Sequence, residues 1–337
     1  MFVRDLPTPA LVIDAARFDH NLSTMASVHP GTRLRPHVKA HKCTAIAAAQ
    51  QAVGHTTFTC ATPREIVGMA RAGVGADLLL ANETVDPARL RAMADTDVAV
   101  TVAVDSIETV RAAADNGITA CLIDVNVGLP RCGVAPERAG GLADEARAAG
   151  LDVRGVMGYE GHLMMVPDRT DRLAQVEAAM ELLRLAHSAV GGDVVSAGGT
   201  GTFDLHEHTG VTEIQAGSYA LMDTEYGRQR LPFEQALHVI GTIISVSDGW
   251  AVADVGLKAL GMDHGNPMVL DGTVWFCSDE HLTYAPADQS DAVGATVGAR
   301  VTVVPAHIDP TVAMHDAVWI VRDDEVIDRW PIDLRGW

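Results

Sequence analysis

The feature that most narrows the fold is a regular alternation of short apolar runs with polar, alanine-rich segments. Strand-like runs end near Val38, Thr59, Leu80, Val104, Val125, Met157, Val195 and Ile214. Between them lie segments of helical composition, among them Pro63–Ala72, Pro87–Ala94, Ile107–Asn116, Pro136–Ala149 and Asp171–Ala189. Several open on Thr62-Pro63, Asp86-Pro87 or Asp105-Ser106, where a side-chain oxygen can accept an orphan backbone N–H. Several close on Gly73, Gly117 or Gly150, suited to a left-handed cap. Eight strands separated by helices predict an α/β protein built on a parallel (β/α)8 TIM-like barrel. An open doubly wound sheet is the alternative, and eight units within about 190 residues favour closure.

The texture changes near Leu231-Pro232-Phe233, after which short alternating segments such as Val239–Val246, Trp250–Asp254, Thr273–Cys277 and Val318–Val321 predict a β-rich domain. The expected division is therefore 15–230 for the barrel and 231–337 for the β domain, with the strand in 8–14 joining the latter. A formal net charge of −19 disfavours nucleic acid or an anionic membrane as partner, since both bind basic faces. No apolar run approaches the ~20 residues of a membrane span. Met1-Phe2-Val3-Arg4-Asp5 does not read as a signal peptide. Five dispersed cysteines with no Cys-x-x-Cys pair suggest reduced thiols and a cytoplasmic setting.

In a barrel of this type chemistry collects at the carboxyl ends of the strands. The first strand ends at Lys39, whose amine can condense with an aldehyde. The third and fourth end at Asn82 and Asp105, and the fifth runs from Asp124 into Gly128 and Arg131. The sixth ends in Tyr159-Glu160-Gly161-His162. The seventh ends in Ser196-Ala197-Gly198-Gly199-Thr200-Gly201, and the eighth in Gln215-Ala216-Gly217-Ser218-Tyr219. Two glycine turns with hydroxyls at these last two positions can build a phosphate cup, with Ser196, Thr200, Ser218 and Tyr219 as donors beside Gly198, Gly199 and Gly217. A phosphate cup and a strand-one lysine together point to pyridoxal 5′-phosphate. Arg131 and Tyr159 are then candidates for contacts to the cofactor ring.

A second constellation is Pro305-Ala306-His307-Ile308-Asp309-Pro310-Thr311. In an extended segment His307 and Asp309 face the same side and can share a divalent cation. Ser278-Asp279-Glu280-His281 is a candidate supporting cluster.

Together these motifs resemble the D-threonine aldolase and D-serine dehydratase family, across essentially the whole chain. They include Thr8 to Asp14, Arg35 to Lys42, Gly128 to Gly133, Gly198 to Gly201, Gln215 to Tyr219, Asp279 to His281 and Pro305 to Thr311. The resemblance implies an alanine-racemase-like PLP barrel followed by a β domain, with Lys39 carrying the cofactor and His307 and Asp309 binding metal. The dehydratase branch has cysteine where this chain has Asp309, and uses zinc. Asp309 resembles the aldolase branch, which implies Mn2+ first, with Mg2+, Co2+ or Zn2+ as alternatives; a carboxylate ligand favours harder ions. The aldolase pattern also has a histidine where this chain has Met165; either His162, three residues after Tyr159, takes over as the base, or the substrate range differs. The implied activity is PLP- and metal-dependent cleavage of D-3-hydroxy amino acids to glycine and an aldehyde. A D-serine or 3-hydroxyaspartate dehydratase, a PLP carrier and a racemase are the alternatives. The family also implies a homodimer with active sites at the interface.

Overall fold

Residues 1–270, 272–287 and 295–337 are described by the computed structural model. They form two units, Met25–Lys39 with Ile46–Gly217 and Leu334–Trp337, and Met1–Thr24 with Ala40–Ala45 and Ser218–Asp333. The strands through Ile214 are β1 (Ala10–Asp14), β2 (Thr57–Cys60), β3 (Asp77–Leu80), β4 (Ala99–Val104), β5 (Ala120–Asp124), β6 (Asp152–Met157), β7 (Val194–Ala197) and β8 (Glu213–Ile214).

In the first unit β2 to β8 lie side by side in chain order, all parallel. Residues 34–37 close the ring. Leu34 bridges Ile214 and His37 bridges Thr59. The Arg35 N–H donates to the Ile214 carbonyl at 2.8 Å, His37 to Ala216 at 3.0 Å, and Thr59 to Pro36 at 2.9 Å. Pro36 has no N–H to give, so the closing segment bonds both neighbours without forming a regular strand.

The helices Pro63–Ala72, Pro87–Ala94, Ile107–Asp115, Ala139–Ala148 and Arg169–Val190 fall where the sequence predicts them. The start expected at Pro136 is a 3-10 turn, Pro136–Arg138, ahead of the α-helix. Caps explain the boundaries: Thr62 Oγ1 accepts the Glu65 N–H at 3.2 Å, and Asp86 Oδ1 accepts those of Ala88 and Arg89 at 2.9 and 3.1 Å. The alternation fails once. The β7–β8 connection carries no helix, because Gly198-Gly199-Thr200-Gly201 has poor helix propensity and takes turns instead.

The amino ends of the strands hold a buried ionic network. Arg35, 3% exposed, donates through Nε to Glu213 Oε1 at 2.9 Å, and its Nη2 lies 3.2 Å from Asp77 Oδ2. Arg154 meets Asp77 Oδ2 at 2.8 Å and Thr101 Oγ1 at 2.6 Å. Asp77 and Glu213 are the first residues of β3 and β8, which puts the network at the end opposite Lys39. A buried cluster of Leu79, Ala103, Leu122 and Met157 draws one residue from each of β3 to β6.

The second unit holds β9 (Leu237–Ser247), β10 (Trp250–Ala253), β11 (Met268–Val269), β12 (Gly272–Cys277), β13 (Leu282–Pro286), β14 (Arg300–Val304), β15 (Ala317–Arg322) and β16 (Glu325–Pro331). The order β10-β13-β12-β11-β14-β9 closes on itself through a β9–β10 pairing, giving an antiparallel barrel. β1 pairs antiparallel with β9 and parallel with β15. Leu6, Ala10, Val12 and Ile240 form the core of that junction. The five cysteines are thiols rather than disulfides. Among the described residues no helix is long and apolar enough to cross a membrane.

Arg35→Leu should leave the buried Glu213 carboxylate without its cation, while the half-buried Asp77 keeps Arg154, and should cost about 3–5 kcal/mol in chemical denaturation. Asp77 gives the pH signature. Burial alone would raise its carboxyl, but the Arg154 hydrogen bonds and the Arg35 charge outweigh that and hold it below its ordinary value. A depressed carboxyl contributes stability that is full above its unfolded pKa of about 4 and lost as pH falls through the folded value. Acid titration followed by circular dichroism should show a shallower loss for Asp77→Asn than for the parent.

Candidate active site

Lys39 lies on a 3-10 turn, Val38–Ala40, directly after the closing segment. Its Nζ is 5.6 Å from the centroid of the Tyr159 ring, and the Arg131 guanidinium carbon is 5.3 Å from the same centroid. Three residues predicted from separate strand ends thus converge. Tyr159 follows β6, while Arg131 rides a loop folded back by a Val125–Val134 bridge and an Asn126 N–H to Val134 carbonyl bond of 3.0 Å. Two basic side chains within about 6 Å of one aromatic ring make a basic patch in an acidic chain. An amine to capture an aldehyde, a guanidinium and an aromatic ring form a donor set that fits PLP. His162 is exposed on the turn Gly161–Leu163 beside the same loop, where a Cβ built on Gly128 would sit 3.0 Å from its Cε1 and Nε2.

The glycine turn after β7 is organised differently from the expectation. The Gly198 N–H donates to Glu160 Oε2 at 3.2 Å and the Gly199 N–H to Thr202 Oγ1 at 3.2 Å. Both amides are therefore engaged within the fold. Ser196 is committed as well: its hydroxyl donates to Glu213 Oε1 at 2.7 Å and accepts from Gln215 Nε2 at 2.8 Å. The strand turns Ser196 toward the ionic network at the far end. Thr200 is buried within the turn, and a Cβ on Gly201 would stand 2.3 Å from the Met164 carbonyl oxygen, so only glycine lets the turn approach so closely. Gly217 ends the stretch after β8, Ser218 opens the turn Ser218–Ala220, and the fully buried Tyr219 ring tilts against Phe233 at 5.6 Å.

Glu160 is the residue that sequence reasoning passed over. Its fully buried carboxylate takes the Gly198 amide, the Thr202 hydroxyl at 2.7 Å and His206 Nε2 at 3.2 Å. Burial alone would raise its pKa, but the His206 hydrogen bond and charge, with the Thr202 hydroxyl, leave it lowered. A further acidic group, Glu83, joins Asp105 and Cys132, their ligand-type atoms all within 4.8 Å. Burial, then the adjacent Glu83 carboxylate, push the Asp124 carboxyl well up.

In the second unit His307 Nε2 lies 3.7 Å from Asp309 Oδ2, a span that one shared cation can bridge. Contrary to the extended segment expected, the helix Ile308–Ala313 begins one residue after His307. Pro310 fits a first helical turn, and Asp309 gains from the helix dipole there. Asp223 Oδ2 accepts the Ile308 N–H at 3.2 Å, and Lys42 Nζ donates to the Asp309 carbonyl at 3.0 Å. Burial pushes the Asp223 carboxyl up to about 6 against the backbone bonds that favour its charge. In the candidate cluster Asp279–His281, Glu280 makes a surface ion pair with Lys258. Next to His307 stand Asp263 and His264, distant in sequence and without a local motif to mark them: Asp263 Oδ2 is 2.7 Å from His307 Nδ1, and the His264 ring stacks on His307 at 4.1 Å.

Comparison with known proteins sets this geometry in context. The family described as alanine racemase, N-terminal domain, matches residues 13–225, and a putative serine dehydratase domain matches 236–321. D-threonine aldolase of Arthrobacter sp is 34% identical over 98% of this chain and 93% of its own length. 3-Hydroxy-D-aspartate aldolase of Paracoccus denitrificans is 32% identical with the same coverage. The crystal structure of D-threonine aldolase from Filomicrobium marinum superposes with a TM-score of 0.94 at 34% identity, covering 99% of this chain and 97% of that one.

Glu160→Ala would leave an amide, a hydroxyl and an imidazole without their buried acceptor. The cost should reach at least about 3 kcal/mol, since each stranded polar group costs ~1–3. Hydrogen-exchange mass spectrometry should show faster exchange in the peptide spanning 198–206, with the Lys39 turn much less affected.

Proposed function

The chain belongs to the alanine-racemase-like family of D-threonine aldolases and D-serine dehydratases, and from that premise we propose that it is a PLP- and divalent-metal-dependent aldolase of D-3-hydroxy amino acids. The observation that carries the reading is the His307–Asp309 pair, an imidazole and a carboxylate 3.7 Å apart. A nitrogen and an oxygen donor suit Mn2+ better than the thiolate pairs that select softer ions.

Lys39 would hold the cofactor through its aldehyde, with Arg131 and Tyr159 at its ring and the turns 198–201 and 217–219 at its phosphate. Of the latter, the Gly198 and Gly199 amides and the Ser196 hydroxyl are bound internally. When bound, PLP supplies an electron sink for the pair left on the substrate α-carbon. A cation on His307 and Asp309 supplies a Lewis acid that makes the substrate 3-hydroxyl more acidic. His162, exposed beside the Gly128 loop, would accept that hydroxyl proton. Loss of the proton lets the Cα–Cβ bond break, an aldehyde departs, and return of a proton to the α-carbon completes glycine.

A second reading keeps the residues and changes the bond. The match of residues 236–321 to a serine dehydratase domain favours it. Lys39 would then remove the α-proton and the 3-hydroxyl would leave as water, and hydrolysis of the resulting imine by water would give ammonia and a 2-keto acid. D-threonine, D-serine and D-3-hydroxyaspartate, each assayed with PLP and Mn2+ and then with EDTA, separate the two. Aldehyde that disappears with EDTA supports the aldolase; keto acid without aldehyde overturns it. Lys39→Ala should abolish turnover, and borohydride reduction should no longer fix the cofactor to the protein.

The assembly we read is a homodimer, each barrel mouth covered by the partner's β barrel. A mouth carrying this chemistry must exclude water, and a second subunit can form the lid. The β unit supports this by exposing Trp275 and Phe276 at 49% and 55%, with Trp250 6.0 Å from Trp275. Sedimentation equilibrium at assay concentration should find a dimer, and a fully active monomer would overturn this assembly.

A further inference from the structure

We propose that Asp263 is a positioning residue for metal binding: its carboxylate fixes the tautomer and ring orientation of His307 so that Nε2 is presented as the ligand nitrogen. The proposal rests on the reading that His307 and Asp309 share a cation. Its geometric basis lies wholly within the β unit. His307 has two distinct faces, Nδ1 at 2.7 Å from Asp263 Oδ2 and Nε2 at 3.7 Å from Asp309 Oδ2. A neutral imidazole carries one ring proton. The carboxylate draws that proton to Nδ1, which leaves the Nε2 lone pair on the side of Asp309.

The arrangement is built rather than incidental. Gly261, two residues before Asp263, forms a β-bridge with His307. Its N–H donates to Thr311 Oγ1 at 2.9 Å, and the Thr311 hydroxyl donates to the His307 carbonyl at 2.7 Å. A Cβ on Gly261 would lie 2.3 Å from Pro310 Cγ, so the two segments approach as closely as glycine permits. His264 then stacks on His307 with the rings 1° from parallel, which removes the ring's remaining freedom to swing. The chain thus holds His307 from its backbone, its Nδ1 and one ring face, leaving the Nε2 edge for a ligand.

Mn2+ affinity of the full-length protein, measured by calorimetry or by loss of the free-ion EPR signal, tests the idea without reference to turnover. Asp263→Ala should weaken Mn2+ binding about 10- to 100-fold, the usual cost of losing an outer-shell partner. Asp263→Asn should stay within about threefold of the parent, because its amide oxygen still accepts the Nδ1 proton. In metal-free, 15N-histidine-labelled protein, with His307 identified by the resonance lost in His307→Gln, the parent should show the Nδ1–H form and Asp263→Ala should shift it toward Nε2–H. Unchanged Mn2+ affinity and tautomer in Asp263→Ala would overturn the proposal. Equal loss in Asn and Ala variants would overturn it in favour of direct ligation by Asp263. If the parent binds no Mn2+, or Asp309→Ala binds it as tightly, the cation reading fails, and the nitrogen spectra still decide whether Asp263 sets the His307 tautomer.

Discussion

The buried Arg35 guanidinium is the interaction on which the barrel depends. The segment that closes the ring contains Pro36 and has only bridge-type backbone pairing with its neighbours. Arg35 supplements that weak ladder with charge-assisted bonds to Glu213 on the adjacent β8 and to Asp77 on β3, one strand beyond β2. A buried ion costs several kcal/mol unless its partners are well placed, and here the planar fork meets two carboxylates while Arg154 shares one of them. The same segment carries Lys39 four residues later. At about 3.3 Å per extended residue, that puts its amine at the opposite end from the network.

A polarity gradient follows along the barrel. The amino ends of the strands are charged but internally paired, Leu79, Ala103, Leu122 and Met157 form an apolar layer, and the far end brings Lys39 and Arg131 together over Tyr159. Stability and chemistry are thereby separated in space. Fixing strand register at one end leaves residues at the other free to be chosen for reactivity. Glu160 is the exception, a structural anchor inside the reactive end, and its position next to Tyr159 in the chain couples that ring to the glycine turn.

Much of this was legible in the sequence because it is local. Proline after a capping side chain marks helix starts at Pro63 and Pro87, and strand ends are visible where apolar runs meet Asp, Asn or glycine. Lys39, Arg131 and Tyr159 could be proposed together because barrel topology brings strand ends to one rim without any long-range information. What escaped was what depends on side-chain direction or on distant pairing. Ser196 reads as a hydroxyl beside a glycine turn, yet the pleat turns it to Glu213. Glu160 stands in a cluster with Tyr159 and His162, and nothing in that cluster says which of the three faces inward. Asp263 and His264 carry no motif of their own. They become significant only because a bridge at Gly261 folds them against His307, more than forty residues away.

The helix that begins at Ile308 shows how the sequence departs from simple alternation and still delivers the same pair. In a strand, His307 and Asp309 would share a face by period. Here the backbone changes conformation between them, and the approach is instead imposed by contacts to the backbone on either side: the Asp223 carboxylate on the Ile308 amide, Lys42 on the Asp309 carbonyl and Thr311 on the His307 carbonyl. Because these bonds engage the main chain, the imidazole and carboxylate are immobilised without being consumed. A flexible loop would have to lose that freedom on binding a cation, at a cost of about 1–2 kcal/mol per ordered residue. The preformed turn has met that cost in folding, so the pair is poised for a ligand, and the chemistry at position 309, carboxylate rather than thiolate, is left to select which ion it holds.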